Sequence, residues 1–296
     1  MKNVFKRAGY ILLLLLAYMV FQVFFTFVAV MAAIFYADAK GYISIASFEQ
    51  VLDYGDLMSS PAMSDISVWT VSIGLFVSSV AMLFFLYFVK GYRLKLGIFK
   101  SMSCKPLFLS TMLVLSSMFA LNIFVQWLGL DDNMEVLFGD IAHNILGVIT
   151  ISLIAPLLEE VLFRGAIQGY MMRYYNPWTA IVCAALIFGV THMNPVQTVY
   201  AALIGVIFGW IYYRTGNLLS VIVGHVLNNS MAAVTLLFFP ESKTLPMPEG
   251  LSSEAQIVSE VMAFLFFAAL SVYFAVKLHR AQPPVPSPWR DASNAV

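Results

Sequence analysis

The sequence predicts an all-α membrane protein, a polytopic bundle of about eight transmembrane helices with both termini in the cytoplasm. Of its 296 residues, 61% are hydrophobic and only 11% are charged, whereas a soluble domain carries about 25% charged residues. So few charges cannot cover a water-exposed surface, and the lipid bilayer must therefore be the main solvent. The 16 basic and 16 acidic residues balance, which argues against a nucleic-acid partner.

Eight apolar segments are predicted to be helices, because backbone groups in hydrocarbon must hydrogen-bond within their own segment. A spanning helix needs about 20 residues. The first segment ends near Ala37-Asp38-Ala39, which resembles a signal-peptidase site, but its apolar run is longer than the roughly 7–15 residues of a signal sequence. We predict a first span there, with a cleaved signal as the alternative. The segments are 8–36, 67–89, 106–130, 141–172, 177–193, 196–213, 217–239 and 255–276.

The distribution of charge between the loops supports this count and predicts the orientation. With a cytoplasmic N-terminus, every Lys and Arg except Lys40 and Lys243 falls on the cytoplasmic side, as the positive-inside rule requires. Most acidic residues lie in the opposite loops. Because a wrong number of spans would destroy this alternation, the pattern favours eight.

Three regions are predicted along the chain. Residues 1–140 hold the first three helices with their outer loops, residues 141–239 hold the polar middle helices, and residues 240–296 hold the last helix and a Pro-rich cytoplasmic tail. The sequence shows no internal repeat, which removes one usual indicator of a transporter. Gly205 and Gly209 are four residues apart, a spacing that is typical of close helix packing.

Strongly polar residues at membrane depth are few. Ionisable groups in spanning helices are costly and are therefore candidates for function. Two adjacent carboxylates cost more, since one must be protonated, paired or hydrated. The polar residues are Glu159, Glu160 and Arg164 on the fourth span, His192 on the fifth, and His225, Asn228 and Asn229 on the seventh.

Helix geometry predicts which of these groups pair. Glu160 and Arg164 are four residues apart, so they share a face and can form an ion pair. Glu159 points about 100° away from Glu160, which leaves it free to face another cavity. His225 and Asn229 also share a face at a spacing of four residues.

The predicted depths of the polar groups place them in one layer. At about 1.5 Å per residue from the cytoplasmic helix ends, Glu159 and Asn229 lie roughly 18 Å deep, His192 roughly 22 Å and His225 roughly 12 Å. Three separate helices can thus form one site. His143 is about 24 Å along the helix from Glu159, and we predict that it lies at the outer boundary and is not a ligand.

Such a site supports hydrolysis. A carboxylate and an imidazole can hold a water whose proton the carboxylate takes, and a second His with an Asn amide can stabilise an oxyanion. Glu159, His192 and His225 could instead ligate zinc, and the residues alone leave both possibilities open. A proton- or cation-coupled transporter is the main rival from another class, and a non-catalytic scaffold or immunity protein is a third.

These residues form three motifs. E-E-x-x-x-R is matched by residues 159–164, F-x-x-x-H by residues 188–192, and H-x-x-x-N by residues 225–229. In this order, on separate apolar segments, they resemble the CAAX-processing and bacteriocin-processing (CPBP, or Abi) family of intramembrane proteases, which includes the Rce1-type prenyl-protein endopeptidases. The resemblance covers about residues 141–235.

The resemblance implies an intramembrane endopeptidase in a bacterial cytoplasmic membrane, with its catalytic helices in residues 141–239. Its expected partners are membrane lipid and a membrane-associated protein or peptide substrate, prenylated or not. A supporting ion pair between Glu160 and Arg164 would fix the fourth helix.

The resemblance also assigns roles within the site. Glu159 would be the general base and would share the catalytic water with His192. His225 and Asn229 would stabilise the oxyanion. Both a Zn²⁺ metalloprotease, with Glu159, His192 and His225 as ligands, and a metal-free glutamate mechanism fit the motifs.

Overall fold

A computed structural model describes residues 2–42, 61–88, 103–132, 139, 141–142, 144–238 and 253–282 of the chain. All the regular elements in these ranges are helices. His143 lies outside the described residues. Eight long helices follow one another in the described part: α1 (Lys2–Ala39), α2 (Pro61–Phe88), α3 (Cys104–Trp127), α4 (Ile145–Met171), α5 (Pro177–Val190), α6 (Pro195–Thr215), α7 (Leu218–Phe238) and α8 (Ser253–Ala281).

Seven of these helices are long and apolar enough to cross a membrane. The predicted all-α bundle of about eight helices is therefore confirmed, and the chain is an integral, multi-pass membrane protein. The cytoplasmic location of both termini stays a prediction.

Helix α5 differs from the predicted fifth span. It has 14 residues, or about 21 Å of helix, which is shorter than the hydrocarbon core of about 30 Å. The helix ends at Val190 because the chain turns there, with Met193 at a positive φ of 53°, before Pro195 begins α6. A Cβ atom on Gly189 would lie 2.5 Å from the Thr198 carbonyl oxygen, so α5 and α6 pack closely against each other.

Helix α4 is surrounded by other helices and carries the E-E-x-x-x-R motif into the protein interior. Every residue of Glu160–Gln168 is buried. Contacts with α2, α5, α6 and α7 surround α4, while α3 packs on α8 with Phe119 and Phe267 stacked at 4.7 Å between ring centroids. The motif therefore faces protein and not lipid.

Two stretches of α4, Thr150–Ile154 and Glu160–Gln168, are wound as the wider π-helix. The first stretch ends two residues before Pro156, whose ring would clash with a carbonyl one α-helical turn back. The wider turn relieves that clash, because the Ala155 N–H donates to the Thr150 carbonyl, five residues back. Such π-helical turns are frequent at functional sites.

Candidate active site

Glu160 and Arg164 form the ion pair that their spacing predicts. Arg164 Nη1 donates to Glu160 Oε1 over 2.9 Å, and the two side chains are 1% and 0% exposed. Because an unpaired buried charge is strongly destabilising, each residue requires the other. The charge of Glu160 is thus compensated within α4 itself.

Aromatic rings of two other helices enclose Arg164. Its guanidinium carbon lies 4.4 Å from the ring centroid of Phe188 and 5.2 Å from that of Phe208, distances at which a cation is attracted to a ring face. Nη2 donates to the Gly205 carbonyl over 3.4 Å. Arg164 therefore holds α5 and α6 against α4 at the level of the motif.

Gln168 repeats this contact one turn further along α4. Its Nε2 donates to the Gly209 carbonyl over 2.9 Å, so side chains four residues apart on α4 bind carbonyls four residues apart on α6. A Cβ atom at Gly205 would lie 3.2 Å from Arg164 Nη2, and one at Gly209 would lie 2.7 Å from Gln168 Oε1. The glycine spacing in the sequence predicted this close packing, but it did not show that the packing positions Arg164.

His225 lies between the two glutamates. Its Nδ1 is 2.7 Å from Glu160 Oε1, and its Nε2 is 3.6 Å from Glu159 Oε2. Because Glu160 Oε1 also accepts from Arg164 Nη1, we assign Nδ1 as the donor of this hydrogen bond. Sequence reasoning placed Glu159 and Glu160 on different faces and missed that both reach one imidazole. Glu159 remains 14% exposed, whereas Glu160 is fully buried.

His192 lies in the turn after α5 and not within a helix, contrary to its predicted place in the fifth span. Its Nδ1 is 3.0 Å from the Phe188 carbonyl oxygen, and because a carbonyl only accepts, Nδ1 carries the proton and Nε2 is left free. The ring centroid of Phe188 is 4.9 Å from that of His192 and 5.9 Å from that of His225. One phenylalanine thus separates the two histidines.

The turn that holds His192 is fixed from outside the motifs. Asn194 accepts a hydrogen bond from the Gln197 N–H over 3.2 Å and so caps the start of α6. It also donates to Asp132 Oδ1 over 2.7 Å. Asp132 follows α3, far from His192 in sequence, and nothing in the sequence pattern indicated this contact.

Asn229 is bound to α4 through its amide. Its Nδ2 donates to the Ile151 carbonyl over 2.9 Å, and its Oδ1 accepts from Asn228 Nδ2 over 3.1 Å. The hydroxyl of Tyr200 donates to Asn228 Oδ1 over 2.5 Å. The structure therefore joins Glu159, Glu160, Arg164 and His225 directly, links His192 to them through a phenylalanine ring, and attaches Asn229 to the widened part of α4.

The predicted zinc ligands do not assemble as a set. Both histidines keep Nε2 free and hold Nδ1 in a hydrogen bond, as metal ligands do. However, the described residues contain no group of three His, Cys, Asp or Glu side chains that could hold a metal ion. Glu159 and His225 meet, whereas His192 is joined to His225 only through the Phe188 ring, and a zinc requirement stays a prediction.

Comparison with known proteins points to one family. The model for type II CAAX prenyl endopeptidase Rce1-like proteins matches residues 141–231, which contain all three motifs. A Bacillus subtilis (strain 168) protein named "putative membrane peptidase YdiL" is 26% identical over 106 residues, which are 36% of this chain and 43% of that protein. The match thus spans less than half of that relative, and no solved structure matches the chain significantly. Over residues 141–231, the resemblance to the Rce1-like membrane proteases that the motifs predict is therefore confirmed.

Proposed function

We propose that the chain is an intramembrane endopeptidase that hydrolyses peptide bonds of membrane-associated protein or peptide substrates, with Glu159 as general base. The observation that supports this most is the division between the two carboxylates. Glu160 is bound by Arg164 and by His225 Nδ1, whereas Glu159 Oε2 faces His225 Nε2 across 3.6 Å. Glu160 is thus held in place by its two partners, and Glu159 is available to bind a water molecule.

The gap between Glu159 and His225 suits a shared water. At 3.6 Å the two atoms are too far apart for a good direct hydrogen bond, but one water beside them can bond to both. Glu159 takes a proton from this water while the water oxygen attacks the substrate carbonyl carbon. Glu159 then gives the proton to the leaving amine nitrogen, so that its charge is restored when the peptide bond breaks.

The histidines and Asn229 have separate tasks in this proposal. By the role that the motifs imply, His192 accepts the second hydrogen of the water through its free Nε2, because the first hydrogen goes to Glu159 and a doubly protonated His225 donates to the water oxygen. Asn229 donates one amide hydrogen to the Ile151 carbonyl, which leaves its second hydrogen for the oxyanion. His225 can donate to the oxyanion only when Nε2 is also protonated, since its Nδ1 proton is bound by Glu160.

In that protonated form the buried cluster is neutral. The positive charges of Arg164 and His225 balance the negative charges of Glu160 and Glu159, which suits a site where isolated charges are costly. Because Glu160 contacts His225 Nδ1 over 2.7 Å, Glu160 acts through His225 and not on the substrate.

The substrate class is proposed from the matched family. Because that family is described as CAAX prenyl endopeptidases, the first probe is a quenched fluorescent peptide with a farnesylated Cys-a-a-X terminus. Cleavage of this peptide by membranes that contain the chain would establish a prenylated substrate. A chain that cuts other membrane proteins would be detected by mapping new N-termini in the membrane proteome.

The decisive comparison is between the wild type and Glu159→Gln, which keeps the shape of the side chain but cannot accept the proton. We expect Glu159→Gln to fold and to lose cleavage of the peptide and of any membrane protein. Glu254→Gln, at the exposed start of α8, is the matched control and should leave cleavage unchanged. Cleavage that survives Glu159→Gln would show that the base is another residue.

A further inference from the structure

Three hydrogen bonds form one chain across α6, α7 and α4. They run from the Tyr200 hydroxyl to Asn228 Oδ1 over 2.5 Å, from Asn228 Nδ2 to Asn229 Oδ1 over 3.1 Å, and from Asn229 Nδ2 to the Ile151 carbonyl over 2.9 Å. Only Asn229 belongs to a motif. The chain thus connects a proposed oxyanion donor to a tyrosine on another helix.

The last of these hydrogen bonds ends on the Ile151 carbonyl, which has no helical N–H donor within α4. In a wide turn, the Ile151 carbonyl would accept from the N–H five residues on, but that residue is Pro156, which has none. The residue four positions on, Ala155, donates to the Thr150 carbonyl instead. Because a carbonyl without a donor is costly inside a membrane, the hydrogen bond from Asn229 replaces the missing helical one.

The Ile151 carbonyl and the Tyr200 hydroxyl together set the direction of these hydrogen bonds from their two ends. The carbonyl can only accept, so the NH2 group of Asn229 must face it and the oxygen of Asn229 must face Asn228. Asn228 must then present its own NH2 group, which turns its oxygen toward Tyr200. Of the groups in the chain, only the Tyr200 hydroxyl is left to donate to that oxygen.

We propose that Tyr200 and Asn228 are positioning residues, which hold the Asn229 amide with its NH2 group toward the reacting carbonyl. This inference rests on the proposed peptidase function. If the side-chain amide of Asn229 rotated by 180°, its oxygen would face the oxyanion and the Ile151 carbonyl. Both of these oxygen–oxygen contacts would be repulsive. Tyr200 and the Ile151 carbonyl prevent that rotation from opposite ends.

The test is a double-mutant cycle on the full chain in membranes with the farnesylated Cys-a-a-X peptide. Asn229→Ala should lower kcat about 100-fold, as loss of an oxyanion donor does. Tyr200→Phe and Asn228→Ala should each lower kcat about 10-fold with KM unchanged, since the amide then spends much of its time misoriented. In the Asn229→Ala background neither change should lower kcat further. Tyr213→Phe on the same helix is the control and should have no effect.

A second cycle measures the melting temperature of the purified chain in detergent. Coupling between Tyr200→Phe and Asn229→Ala in both kcat and melting temperature supports the positioning role. Coupling in the melting temperature with additive effects on kcat overturns it, because the chain of hydrogen bonds would then serve stability alone. Additive effects in both measurements overturn the hydrogen-bonded chain itself. A wild type that cuts no peptide and no membrane protein overturns the proposed function. The melting-temperature cycle still shows, in that case, whether Tyr200, Asn228 and Asn229 are joined by hydrogen bonds.

Discussion

His225 Nδ1 lies 2.7 Å from Glu160 Oε1, so the carboxylate that the sequence assigns to Arg164 alone also orients a histidine on another helix. The same oxygen accepts from Arg164. Glu160 therefore connects Arg164, its ion-pair partner on α4, to the imidazole of His225, which faces Glu159. Its loss is expected to affect folding and chemistry together.

Glu160→Gln should be strongly destabilising, whereas Glu159→Gln should not. Replacing Glu160 leaves the buried Arg164 without its counter-ion, and the loss of one partner of a buried ion pair costs about 3–5 kcal/mol. Thermal unfolding of the two variants in detergent measures the difference. Equal loss of stability in both variants would contradict the division of roles between the two carboxylates.

Arg164→Lys should lower both stability and cleavage, although the charge is kept. An ammonium group cannot pair with Glu160, lie against the rings of Phe188 and Phe208, and donate to the Gly205 carbonyl at once, as the planar guanidinium does. We expect a loss of cleavage of about 10-fold or more, since one tenfold step corresponds to only about 1.4 kcal/mol. Arg280→Lys, at the exposed end of α8, should change neither property.

Much of the fold could be predicted from the sequence because hydrocarbon requires each backbone segment to satisfy its own hydrogen bonds. The predicted segments 106–130 and 217–239 therefore lie within a few residues of α3 and α7. The Glu160–Arg164 contact could be predicted for a similar reason, since both residues are on one helix and the helical repeat fixes their separation.

Contacts between helices could not be predicted in the same way. The bond from His225 to Glu160 depends on how α7 is rotated against α4, and no periodicity within either helix specifies that rotation. The early end of α5, which places His192 in a turn, depends on the reversal around Met193. Pro156 is visible in the sequence. That the Ile151 carbonyl lacks a helical hydrogen-bond donor follows only from the π-helical stretch Thr150–Ile154, which the sequence does not reveal.

Gly189→Ala should disturb the site without touching a polar residue. A Cβ atom there would lie 2.5 Å from the Thr198 carbonyl oxygen, and backbone cannot move aside as a flexible side chain does. We expect a destabilisation of about 1–3 kcal/mol from overpacking, and reduced cleavage because α5 carries Phe188 and leads into His192. Gly9→Ala in α1 is the matched control, since its Cβ would meet nothing within 4 Å. A stable, fully active Gly189→Ala variant would contradict the close packing of α5 on α6.

Cleavage should be independent of zinc if the mechanism uses Glu159 and a water alone. Because no three-ligand group is assembled among the described residues, we expect the purified chain to hold less than one equivalent of zinc and to keep its activity in a strong chelator. Metal analysis and a chelator titration of peptide cleavage measure both. One equivalent of zinc, lost together with activity and lost from His192→Ala and His225→Ala as well, would establish the metal mechanism instead.

The predicted orientation can be tested on the natural cysteines. Cys104 is exposed at the start of α3, and the charge pattern places that end of the helix in the cytoplasm. In right-side-out vesicles, where the cytoplasmic side of the membrane faces the lumen, a membrane-impermeant maleimide should therefore leave Cys104 unlabelled until the membrane is permeabilised. Cys104→Ser should remove the label that appears after permeabilisation. Cys183, which is half-buried within α5, should react slowly in either case. Rapid labelling of Cys104 in sealed vesicles would reverse the orientation and would place the basic loop before α3 on the outside.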